Sequence, residues 1–253
     1  MHFLCLHGIG TNSQVLEMQL TTLRYALGDD HTYDFVEGQV PWPMAEEIRA
    51  FVSPGAAACY AFFDPFSAAS ARAALDDLAE YIASEGPFDG VIGFSHGSCL
   101  ASTLLLQTKL QEPDLDPVFK CALFFSAGAP LDPSALSHGV VRHYGKGGEV
   151  LSGFMNDKLE HHLEHQEGQE RDSGCLIDFP TVHVWDEEDA CAPGQARRLL
   201  NLCDPQLREE VIHSEGHSVP GGGPRSKEVL DRVVVAFKDM IARAEAQKRN
   251  VAQ

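Results

Sequence analysis

Ser95 stands in the middle of Gly93-Phe94-Ser95-His96-Gly97, a glycine-x-serine-x-glycine spacing with the apolar Val91-Ile92 before it and a helical pattern after it. Strand, sharp turn and helix in that order put a serine at the apex of a turn too tight for bulky neighbours, which is the work glycine does there. The helix that follows aims its first N–H groups and the positive end of its dipole at the place where an oxyanion would form. Five positions with two fixed glycines also recur by chance, so the pentapeptide needs partners before it means chemistry. A serine hydroxyl is a weak nucleophile at neutral pH and needs an adjacent base. Histidine suits that task because its unperturbed pKa is about 6.5. A carboxylate is then required to fix the imidazole tautomer and stabilise the imidazolium.

The chain can fill these roles in the order nucleophile, acid, base with Ser95, Asp189 and His217. His217 lies in the glycine-flanked run Ser214-Glu215-Gly216-His217-Ser218-Val219-Pro220, while His213, the nearby competitor, falls at the end of a strand. Asp189 opens Asp189-Ala190-Cys191-Ala192-Pro193, where a carboxylate would otherwise simply cap a helix, and Asp186 is the alternative acid. Oxyanion donors are expected from the backbone N–H of His96 and from the loop His7-Gly8-Ile9-Gly10, with Ile9 preferred and Gly10 the alternative. The His96 side chain itself is expected at the rim of the site.

These residues need a scaffold that brings them to one edge. Phe3-Leu4-Cys5-Leu6, Val91 to Phe94, Cys121-Ala122-Leu123-Phe124-Phe125 and Val182-His183-Val184-Trp185 are short apolar runs suited to buried parallel strands. Tyr33 to Val36 and Glu210 to His213 read as further strands. Helical patterns fill Thr11 to about Gly28, Ser67 to Ser84, Ser95 to about Leu110, Pro193 to Leu202 and Lys227 to about Ala246. Strand–helix alternation predicts an α/β fold, a mostly parallel central sheet with helices on both faces. Active sites in such sheets gather at the carboxyl ends of the strands. Ser95, Ile9, Asp189 and His217 all follow predicted strands and would share that edge. One domain is expected over 3–246, with a polar tail at 247–253. A polar, histidine-rich excursion at 130–178 would border the site.

Composition narrows the alternatives. A formal net charge of −18 would repel a phosphate backbone, so nucleic acid is not an expected partner. No apolar run approaches the roughly 18 residues of a membrane span, and no signal peptide is read, so no membrane association is expected. The 7 cysteines are odd in number and scattered, with Cys5, Cys99 and Cys121 in apolar segments, which fits reduced thiols in a cytoplasmic enzyme. His161-His162-Leu163-Glu164-His165 matches an H-x-x-E-H metal pattern, but its setting is polar, and a solvated helix face is the better reading. Gly145-Lys146-Gly147-Gly148 lacks phosphate-loop spacing and reads as a turn. Neither metal nor cofactor is required by the chemistry above.

With these residues placed, the chain resembles the fungal serine hydrolase family, a branch of the α/β hydrolases. The likeness rests on Leu6-His7-Gly8, Gly10-Thr11-Asn12-Ser13, Phe35-Val36-Glu37-Gly38, Gly86-Pro87-Phe88-Asp89-Gly90-Val91-Ile92-Gly93-Phe94-Ser95-His96-Gly97, Asp189 with Pro193, and Gly216-His217 with Val219-Pro220. Glutamine is common in the family where His96 stands, and a glycine-containing turn is more usual than Trp185-Asp186-Glu187-Glu188. The resemblance implies an esterase or thioesterase. It further implies release of a polyketide acyl chain from the carrier domain of a polyketide synthase. The aromatic segment 51–66 and the excursion would then line an acyl pocket, and Arg142, Lys146, Arg197 and Arg198 are candidate docking cations for an acidic carrier. The alternatives are a general carboxylesterase and, more remotely, a non-catalytic binding protein of the same fold.

Overall fold

The computed structural model describes residues 1–49, 58–153, 155, 157–171, 175–221 and 226–251. Phe51, parts of the excursion and the last two residues of the expected tail lie outside them. The chain runs β1 (His2–Leu6), α1 (Ser13–Gln19), α2 (Thr21–Leu27), β2 (Thr32–Val36), β3 (Val40–Pro41), β4 (Tyr60–Ala61), α3 (Ala68–Glu85), β5 (Gly90–Phe94) and α4 (His96–Gln111). It continues with β6 (Cys121–Phe125), α5 (Pro133–Ser137), β7 (Val141–Arg142), β8 (Val150–Ser152), α6 (Asp157–Arg171), β9 (Thr181–Asp186), α7 (Gln195–Leu200), β10 (Arg208–His213) and α8 (Ser226–Val251).

Six strands form a sheet in the order β10-β9-β6-β5-β1-β2, and every pairing in it is parallel. The apolar runs follow from burial on both faces. Leu4, Leu6, Val91, Ala122, Phe124 and Trp185 pack on one side with residues of α3, α4 and α7. Phe3, Cys5, Ile92, Phe94, Leu123, Phe125 and Val184 pack on the other with residues of α1, α2 and α8. Successive side chains of a strand alternate faces, so one short run feeds two cores. The connections leave β1 in one direction for β2 and in the other for β5, which places a topological switch between β1 and β5. Ser95 and the His7–Gly10 loop follow those two neighbouring strands.

Three differences from the sequence expectations have local causes. The first helix is two, interrupted at Leu20. Thr21 Oγ1 donates to the Glu17 carbonyl at 3.1 Å, so its hydroxyl competes with continuous helix at that point, and Thr22 Oγ1 ties the start of α2 to the Gly221 carbonyl at 3.2 Å. The closing helix runs to Val251 rather than ending near 246, continuing through helix-favouring Ala, Gln, Lys and Arg. Arg142 is not a surface cation. It is buried, with Nε and Nη2 donating to Asp132 Oδ2 at 3.0 and 2.7 Å, because a desolvated guanidinium needs a carboxylate partner. Asp132 also caps α5 through the Ala135 N–H, so the pair ties β7 to the start of the excursion.

Among the described residues no helix is long and apolar enough to cross a membrane.

Candidate active site

The backbone at Ser95 has φ 51° and ψ −112°, a left-handed region in which a side chain is strained. Its surroundings hold it there. The Ser95 N–H donates to the Phe125 carbonyl at 3.0 Å, and its own carbonyl accepts from Gly128 and Cys99 at 3.0 and 3.1 Å. The two motif glycines are required by contact. A Cβ on Gly93 would lie 2.8 Å from Ser98 backbone atoms, and one on Gly97 would fall on the Leu6 carbonyl. Helix α4 therefore sits directly against β1.

At the apex, Ser95 Oγ lies 2.8 Å from His217 Nε2, and His217 Nδ1 lies 2.6 Å from Asp189 Oδ2. His217 and Asp189 side chains are each 9% exposed. Nδ1 donates to the carboxylate, so the neutral tautomer leaves Nε2 as acceptor toward the serine hydroxyl. An imidazole so placed can take a proton from an attacking hydroxyl and return it to a leaving group. The other oxygen of Asp189, Oδ1, accepts from Cys191 and Ala192 N–H at 2.9 and 3.3 Å, which fixes the carboxylate plane.

Asp186, the alternative acid, is not in that relay. Its Oδ1 accepts from Glu188 N–H at 2.9 Å and its Oδ2 from Gly216 N–H at 2.7 Å. It bridges the loop carrying Asp189 to the loop carrying His217, as the pairing of Asp186 with His213 between β9 and β10 allows. Burial alone would raise its pKa, but the two N–H donors and the neighbouring His213 outweigh burial and lower it. His213, the alternative base, is buried and accepts the Glu215 N–H at Nδ1, 3.1 Å away.

On the facing loop, the Gly10 N–H is committed to the Tyr60 carbonyl at 2.8 Å, which removes the alternative donor and leaves Ile9. Ile9 and His96 both line the cavity above Ser95. The loop is stiffened by His7, a residue that sequence reasoning quoted without assigning a task. Its ring is fully buried, Nδ1 donates to the Gly8 carbonyl at 2.7 Å, and Nε2 accepts the Gly38 N–H at 2.9 Å. Ser126 was also missed. It has φ 39°, and its hydroxyl donates to the Ser218 carbonyl at 3.2 Å, bracing the residue after His217. A strained serine one residue past an apolar strand has no signature in spacing alone.

The His96 side chain is not at the rim. It is 8% exposed, with its ring centroid 4.1 Å from Phe63 and 6.3 Å from Phe62, and Nε2 accepts the Phe63 N–H at 3.4 Å. Phe62 and Phe63 lie over the start of α4 and pack against the ring. Burial pulls its pKa down to about 3, so the imidazole is neutral.

Ser95, His217 and their neighbours open on a cavity of about 350 Å³. Its apolar lining includes Phe63, Pro65, Phe66, Phe94, Leu131 and Leu151. The excursion thus supplies Leu131, His143 and Leu151 to the wall. His161 and His165 stand exposed on α6, away from this lining, and among the described residues no group of three or more His, Cys, Asp or Glu could hold a metal ion.

A family profile described as "Serine hydrolase (FSH1)" matches residues 1–229. The chain belongs to that serine hydrolase family. "Esterase FPY3" of Fusarium mangiferae is 37% identical over 246 residues, covering 96% of this chain and 94% of the relative. "Hydrolase FUB4" of Gibberella moniliformis is 38% identical over 251 residues, covering 87% and 92%. Among solved structures, a carboxylesterase from Mesorhizobium loti superposes with a TM-score of 0.53 at 16% identity, over 92% of this chain and 87% of that one. At that identity the likeness speaks for the fold, which is the α/β-hydrolase fold expected from the sequence. The protein is a hydrolase of the serine type.

Proposed function

We propose that this hydrolase cleaves an acyl thioester through an acyl-Ser95 intermediate, releasing a polyketide-type acyl chain from a carrier domain. The observation that carries the reading is the unbroken contact chain Ser95–His217–Asp189 opening on an apolar cavity. His217 Nε2 takes the Ser95 proton as Oγ attacks the thioester carbon. The Ile9 and His96 N–H groups receive the developing oxyanion. The carbon–sulfur bond then breaks and His217 passes its proton to the departing thiolate, which leaves as the thiol. Water attacks the acyl-serine, gives a proton to His217, and the proton returns to Ser95 Oγ as the acid leaves.

An aliphatic chain loses its water contact in the cavity, which favours binding by about 25 cal/mol for each Å² of apolar surface buried. Beside the mouth, Arg198 Nη2 donates to the Gly147 carbonyl at 2.9 Å, which draws α7 to the turn holding Lys146. Lys146 and Arg198 are the cations left to meet an acidic carrier, since Arg197 is paired with Glu187 and Arg142 with Asp132. The test is single-turnover hydrolysis of acyl-thioester mimics with Ser95→Ala as control. The expected outcome is loss of turnover on the order of 10⁴-fold or more, and activity retained by Ser95→Ala would sink the assignment. Labelling of Ser95 by a fluorophosphonate addresses the non-catalytic alternative directly.

A second reading, hydrolysis of free oxygen esters without a carrier, is favoured by the esterase name of a relative at 37% identity. Kinetics on an oxygen ester and its matched thioester separate the two. A preference for the thioester of at least tenfold supports carrier release, and the reverse preference supports the esterase.

A further inference from the structure

The acyl transfer uses the backbone of His96 and leaves its imidazole without a task. That ring packs against Phe62 and Phe63, and His96 is one of the residues around the cavity beside Ser95. Its orientation is set by the Phe63 N–H, which donates to Nε2. In a neutral imidazole one nitrogen accepts and the other carries the proton. The proton therefore sits on Nδ1, and among the described residues no protein group accepts it. The neutral state is secured by burial, which pulls the pKa down to about 3. The wall also holds polar side chains such as Gln195 and His143, but an N–H donor among its apolar residues is unpaired whenever a plain alkyl chain displaces water from it.

We propose that the His96 Nδ1–H reads an oxygen on the acyl chain, so that the site selects acyl groups oxygenated near the scissile carbonyl over unsubstituted alkyl chains. This rests on the acyl-cavity reading above and narrows its substrate class. His96 directly follows the nucleophile and opens α4, so the proposal places the donor's reach at the carbons next to the thioester. A hydroxyl or keto oxygen at the β carbon is the chemistry it fits. Leaving a buried donor without its partner is what makes such sites discriminate, far more strongly than a mismatch in apolar length does.

The experiment compares octanoyl and each enantiomer of β-hydroxyoctanoyl as thioesters of one thiol. Each kcat/KM is divided by the hydroxide-catalysed rate for the same compound, which removes intrinsic reactivity. The wild type is expected to favour one β-hydroxy enantiomer by on the order of tenfold or more. His96→Phe is expected to erase that preference, whatever it does to turnover in general, since a purely structural role lowers both substrates together. His96→Gln is expected to keep it, because an amide can accept the Phe63 N–H and still donate. No preference in the wild type, or a preference that survives His96→Phe, would overturn the inference while leaving the hydrolase intact. Hydrolysis of neither compound would instead overturn the acyl-cavity reading beneath it.

Discussion

Two aspartates three residues apart have divided the work between them. Asp189 meets the His217 ring, and Asp186 meets the backbone just before that ring. Asp189→Asn keeps the shape but presents an amide toward Nδ1 and disfavours the working tautomer, so kcat is expected to fall on the order of 10³ to 10⁴-fold. Asp186→Asn leaves the Gly216 N–H with a poorer acceptor and loosens the loop rather than the relay. A fall of about tenfold in kcat, with a lower melting temperature, is expected there. Steady-state kinetics and thermal melts on the two variants decide it. Equal losses, or a larger loss at Asp186, would reverse the assignment. The choice could not be read from the sequence, since both residues follow the same strand and both carry a carboxylate. The deciding facts are the ends of β9 and β10 and their register, which are properties of paired strands. The triad partners themselves were legible, because chain order and the loop after the last strand leave few histidines eligible.

At the scale of the element, the turn between β5 and α4 stores strain that serves position rather than stability. A residue held in this backbone region costs about 1 to 3 kcal/mol, and glycine relieves most of it. Ser95→Gly is therefore expected to be more stable than Ser95→Ala by about 1 kcal/mol, a rise of about 2 to 4 °C in melting temperature. Both variants lack the nucleophile, so the comparison isolates the backbone, and equal melting temperatures would show that the turn is unstrained. The opposite change, Gly97→Ala, pushes a methyl into the Leu6 carbonyl. It is expected to cost more than about 2 kcal/mol and to shift α4 off β1, checked by denaturant unfolding. Strands and the glycine–serine turn were legible because doubly buried strands leave continuous apolar runs and because tight contacts exclude side chains. The position of the His96 ring was not legible. It depends on Phe62 and Phe63, which arrive from an irregular segment with no period to read.

Over the whole molecule, acidity and buried histidines act in opposite directions as pH falls. His7, His96, His143, His183 and His213 are all buried, and burial lowers each pKa, to about 3 for His96 and His183. In the unfolded chain each would titrate near the ordinary value of about 6.5. Between the folded and unfolded values the unfolded chain binds more protons, so stability is full above about pH 7 and is lost as pH falls below about 6.5. Each such histidine adds to that loss in the same direction. The opposing effect comes from the net charge of −18, since added protons relieve repulsion among exposed side chains. Those side chains lie in water, where screening over about 8 Å at physiological salt leaves little of it. Carboxylates titrate near pH 4, below the window, so they do not intervene between pH 5 and 6.5. The buried set therefore outweighs that relief, and stability declines as pH falls below about 6.5. The melting temperature at 0.15 M salt, on the order of physiological strength, is expected to be flat above pH 7 and to fall steeply below pH 6. A melting temperature unchanged down to pH 5 would overturn this reading of the buried histidines as a set.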